Sequence, residues 1–255
     1  MVLKEAITKK LIDPSKQNVG EIVRLAASKN TETKAALPGL EKEAGTNPRI
    51  GLVVADTLAN LGPLARLAGE WQSDKGIDIA PKAPGPEQRG FREHIRMEPI
   101  DPQPNGPQLL YGLRYHIHIN TDEEAITFHD QVGYWLWEPA TGLIMQSIAI
   151  PRGQVVLAGG TAKPGDKTIS VEATRGDTRF GICSTTFLEQ AFRTDYYRID
   201  ITFNDDGSWS YVTRTDLAVR GKTPAFNHRD TNTLRRIAAP AQNPMVDRLK
   251  SGKFD

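Results

Sequence analysis

The sequence predicts a mainly β protein: a closed antiparallel β-barrel of about ten strands carrying an N-terminal helical extension. Three observations predict it. Apolar residues recur with a period of two from Leu67 onward. Tight-turn signals separate the alternating segments, among them Asp205-Asp206-Gly207, an Asp-Gly hairpin signal. Strands that short and that regularly spaced form an antiparallel meander, and a long meander removes its exposed edges most easily by closing on itself.

The first sixty residues have helical spacing instead. Val2–Ile12 and Val19–Ala27 place apolar residues on one helical face, with Pro14 and Ser15 between them, and Asn30–Asn47 reads as a polar linker. Ile50–Leu61 reads as a short helix closed by Gly62-Pro63. The expected organisation is therefore a helical extension over 1–61, a barrel over 62–240 and a tail over 241–255.

The first clear strand is Phe91–Met97, in which Phe91, Glu93, Ile95 and Met97 alternate with Arg92, His94 and Arg96. In Leu109–Ile119, Tyr111, Leu113, Tyr115, Ile117 and Ile119 alternate with Gly112, Arg114, His116 and His118. Because Arg114 shares a face with His116 and His118, that face reads as a solvated outer wall rather than a metal site. Further strands are expected at Ala125–Trp137, Leu143–Ile150, Gln154–Ala158, Thr168–Ala173, Tyr197–Phe203, Trp209–Val219 and Thr233–Ile237. Ala140-Thr141-Gly142, Gly159-Gly160 and Pro164-Gly165-Asp166 read as turns, and Ser184 as the cap of a helix over Thr185–Phe192.

Composition narrows the function. Thirty-two basic residues face 31 acidic ones, which argues against nucleic acid or a membrane surface as the main partner. A single cysteine, Cys183, excludes an internal disulfide and fits a cytoplasmic setting. The N-terminus MVLKEAITKK lacks the apolar core of a signal peptide. Phosphate loops, nucleophile elbows and His-Glu-x-x-His motifs are missing from the sequence. What remains is a set of five histidines. His129 shares a strand face with Gln131, Gly133, Trp135 and Trp137, and periodicity alone leaves open whether that face or the Phe128, Val132, Tyr134, Leu136 face points inward. His228, in Lys222–Asp230, is either a surface residue or an axial ligand to iron.

From Gly62 to Ile237 the order of pieces resembles nitrobindin, the small haem-binding barrel family also described as fatty-acid-binding-protein-like. The resemblance rests on Gly69-Glu70-Trp71, Phe91–Met97, His129-x-x-x-Gly133-Tyr134, Asp206-Gly207-x-x-x-Tyr211 and the Pro224–His228 stretch followed by Leu234. It implies a lipocalin-like barrel with His129, Gln131 and Gly133 lining the cavity. It further implies haem b, with His228 as axial ligand and His129 as the catalytic residue on the distal side. Such a site would bind nitric oxide and isomerise peroxynitrite to nitrate. Arg152 could pair with a propionate. Gln72–Arg89 departs from the family's first loop and has no Tyr-Pro-Thr-Ile segment. That departure favours an alternative, a non-haem barrel holding a small apolar carboxylate such as a fatty acid. A third reading gives the helical extension the role of a lid or homodimer contact.

Overall fold

The computed structural model describes residues 57–82, 85–121 and 127–243; the expected helices of the first fifty-six residues and most of the C-terminal tail lie outside them. Among the described residues, twelve strands form one sheet. They are β1 (Gly69–Lys82), β2 (Gly85–Pro99), β3 (Gln103–Asn105), β4 (Gln108–Asn120), β5 (His129–Glu138), β6 (Leu143–Ile150), β7 (Gln154–Thr161), β8 (Thr168–Thr174), β9 (Ile182–Ser184), β10 (Phe192–Phe203), β11 (Trp209–Val219) and β12 (Phe226–Ala238). Ten of them make the ring: β1-β2-β4-β5-β6-β7-β8-β10-β11-β12, closed where β12 pairs with β1. All the registered pairings are antiparallel, as the meander requires. Closure leaves no ring strand with an open edge.

Three local expectations are corrected. Gln72–Arg89 is not a loop. It is the long β1–β2 hairpin, whose proline and charge content hides its strand character. Gly159-Gly160 is not a turn but the interior of β7. A Cβ at Gly159 would collide with the Phe180 ring, and one at Gly160 with the Ser170 carbonyl, so these glycines mark close approach. Gly62 interrupts the 3₁₀ segment Ala59–Arg66 where the sequence places a helix end: it takes φ +54°, outside the helical range, the segment resumes beyond this kink, and a Cβ at Gly62 would overlap the Trp137 ring. The six-residue helix α1 (Thr186–Ala191) is capped by Thr185 rather than Ser184, its hydroxyl accepting from Leu188 N.

The barrel interior is graded along its axis. At one end Trp71, Trp135, Trp137, Trp209, Phe203 and Leu234 pack with Leu61, Leu64 and Leu67 of the 3₁₀ segment into a solid core. Trp71 and Trp209 meet edge to face at 5.8 Å, and Trp71 Nε1 donates to Leu67 O at 2.7 Å. Following β5 and β12 away from that end, the inward side chains change from Trp137 to His129 and from Leu234 to His228. Because alternate residues of a strand share a face, this gradient is written directly in the chain.

Candidate functional site

The polar end of the barrel holds a cavity of about 640 Å³, within the usual range for a small-molecule site. Its apolar wall comes from Ile95, Ile117, Ile119, Ile148 and Ile150, with Phe128 and α1's Phe187 and Leu188 bordering it. A groove of about 850 Å³ also runs between Arg96, Tyr134, Val155 and Cys183. It lies on the outer wall, where Tyr134 and Val155 are exposed, so the cavity inside the barrel is the better candidate.

Two polar clusters face that cavity. The first is built on β5. Gln131 Nε2 donates to Tyr115 Oη at 2.7 Å, and Tyr115 Oη donates to Ser147 O at 2.9 Å. With its amide nitrogen so committed, Gln131 turns Oε1 toward His129 Nε2, 3.3 Å away. His129 therefore carries its proton on Nε2 and keeps a lone pair on Nδ1. Burial pushes the His129 pKa down, only partly opposed by the bond to Gln131, so the ring is neutral. Gly133 belongs to the same face, but its lack of a side chain serves packing. A Cβ there would overlap the Ser147 carbonyl that Tyr115 bonds.

The second cluster joins β1, β2, β11 and β12. His228 Nε2 lies 2.6 Å from Asp78 Oδ1 and 3.5 Å from Asp230 Oδ1. Burial alone would lower the His228 pKa. The bonds to Asp230 and Asp78 outweigh it and hold the imidazole at about 10. Burial likewise opposes ionisation of Asp230, yet its bonds to His228 and Thr213 bring its pKa down. Nearby, Glu93 is buried and receives Tyr211 Oη at 2.8 Å and Asn232 Nδ2 at 2.7 Å, both on Oε2. Burial is the larger effect and pushes the Glu93 pKa up to about 7. Burial also holds the Tyr197 and Tyr211 hydroxyls neutral, raising both well above the ordinary tyrosine value.

Of the residues singled out in the sequence, His129, Gln131, Arg152 and His228 line this one cavity. Arg152 stands in the β6–β7 turn at its border, Nη2 donating to Phe128 O at 2.8 Å. His116 and His118 face away on the outer wall, both paired with Asp130. Asp78 and Asp230 are not among the residues singled out in the sequence, whereas Glu93 is, on the face it shares with Phe91, Ile95 and Met97. The signal for Asp78 is the alternation Ile77-Asp78-Ile79, whose usual polarity would put the isoleucines inside. It is inverted here, with Asp78 3% exposed and Ile77 37%.

The family model described as "THAP4-like, heme-binding beta-barrel domain" matches residues 60–236. Among solved structures, the crystal structure of Rv2717c from M. tuberculosis aligns with a TM-score of 0.49 and 20% identity, covering 71% of this chain and 98% of that one. No curated protein matches the chain at a significant level.

Proposed function

Because the chain belongs to the THAP4-like, nitrobindin-like family of haem-binding β-barrels, we propose that haem occupies its cavity and that His129, rather than His228, bonds the iron. The carrying observation is the difference between the two imidazoles. His228 has Nε2 wedged between two carboxylates, whereas His129 has only the neutral Gln131 amide as partner and keeps Nδ1 for a metal. The rest of the wall fits the group. Isoleucines offer an apolar bed to the macrocycle, and Arg152 at the border can meet a propionate with the donors Phe128 does not use.

When bound, haem would supply a ferric iron that takes nitric oxide and turns peroxynitrite into nitrate, the reactivity implied by the nitrobindin resemblance. The chain supplies orientation. Tyr115 fixes Gln131, and Gln131 fixes the tautomer and tilt of His129, the usual outer-shell arrangement for a ligating histidine. The fatty-acid alternative has less support, since Asp78 and Asp230 already share the cavity and would repel a further carboxylate.

Hemin titration with absorption spectroscopy tests the proposal. The parent should take up one hemin with an intense Soret band. His129→Ala should lose the iron–imidazole spectrum, and His228→Ala should keep it. The opposite pattern would return the axial role to His228, and a parent that takes up no hemin would end the haem reading.

A further inference from the structure

The Asp78–His228–Asp230 cluster sets two carboxylates against a single imidazole, and the haem proposal makes no use of it. Asp78 on β1 stands directly opposite Asp230 on β12, and both turn into the cavity. Like charges facing each other across a ladder destabilise it, and buried carboxylates occur where they are paired or ligate a metal. His228 precedes Asp230 by two residues, so its ring rises from the same face beside the two carboxylates. The ligand atoms of the three side chains all lie within 4.8 Å of one another. We propose that Asp78, His228 and Asp230 form a binding site for one divalent transition-metal ion, of the Zn²⁺ or Mn²⁺ class, open to the barrel cavity.

The geometry is close to what such an ion needs. Bonds of about 2.1 Å in a tetrahedral arrangement set ligand atoms about 3.4 Å apart. His228 Nε2 is already 3.5 Å from Asp230 Oδ1 and 2.6 Å from Asp78 Oδ1. Spreading the shorter contact by under about 1 Å completes the site, and the metal takes the place of the proton shared there. Thr213 Oγ1 donates to Asp230 Oδ2 at 2.8 Å, which fixes that carboxylate with Oδ1 toward the ring. One imidazole and two carboxylate oxygens favour a first-row transition ion over Mg²⁺ or Ca²⁺, which take oxygen alone. Three protein ligands leave a fourth position facing the cavity, the pattern of a reactive rather than a structural metal site.

The site uses neither His129 nor haem, so it is tested on the full chain stripped with chelator and kept free of hemin. Calorimetric titration with ZnCl₂ should give one strong site. Asp78→Asn and Asp230→Asn should each weaken it at least tenfold, while His116→Ala binds as the parent does. X-ray absorption of the zinc-loaded parent should show one imidazole and oxygen ligands, a readout that does not depend on whether a variant folds. A parent with no strong site, a zinc shell with no imidazole or with several, or zinc affinity lost in His116→Ala would overturn the proposal. So would Asn variants that fold and bind zinc like the parent.

Discussion

Replacing Glu93 by glutamine should flatten the pH dependence of folding stability. In the folded chain the Glu93 carboxyl is buried against Tyr211 and Asn232, and burial holds its pKa at about 7 instead of the ordinary 4.5. A raised acid pKa means that the folded state binds the proton more tightly than the unfolded chain. The associated stability is fully present below about 4.5 and drains away as pH rises through about 7. At about 1.4 kcal/mol per pH unit, the whole gap is worth about 3.5 kcal/mol, of which about 2.5 kcal/mol falls between pH 5 and pH 8. Glutamine has nearly the same shape, can accept from Tyr211 and Asn232 through its amide oxygen, and does not ionise. Urea denaturation of parent and Glu93→Gln at those two pH values isolates the effect, because His129, His228 and Asp230 titrate in both proteins. The parent should lose about 2.5 kcal/mol more than the variant on going to the higher pH. Equal losses, or a larger loss in the variant, would refute the claim that a buried neutral carboxyl stands at this position.

Gly133→Ala should destabilise the barrel by about 1–3 kcal/mol in the same assay, because the new methyl must displace the Ser147 carbonyl of β6. Leu64→Ala should cost about 2–5 kcal/mol, since the 3₁₀ segment plugs the packed end and Leu64 is fully buried there. Arg114→Ala should change stability by less than about 1 kcal/mol despite the 2.7 Å contact with Glu98, because both side chains are exposed on the outer wall.

The order and antiparallel pairing of the strands were legible in the chain. Alternation in Phe91–Met97, Leu109–Ile119 and Thr168–Ala173 marks strands because a pleated backbone turns successive side chains to opposite faces. The Asp205-Asp206-Gly207 and Ala140-Thr141-Gly142 turns stand where expected, with Gly207 at φ +82° and Gly142 at φ +73°. The outward face of His116 and His118 was also legible, since Arg114 shares it. The Gly159-Gly160 pair misled, because a missing side chain marks a close approach as readily as a turn, and only the positions of Phe180 and Ser170 distinguish them. Facing was the harder question. Around the cavity the usual polarity is reversed, with Asp78 and Thr213 inside while Ile77 and Val212 are exposed, so periodicity fixes which residues share a face but not which face is inner. That choice belongs to barrel closure. The β1–β12 pairing lays Asp78 beside His228 and Asp230, about 150 residues along the chain, and no local rule connects positions so far apart. The same closure strips water from them, and it is the loss of water that drives Glu93 up, drives His129 down and makes two facing carboxylates a problem that only a proton or a metal ion can answer.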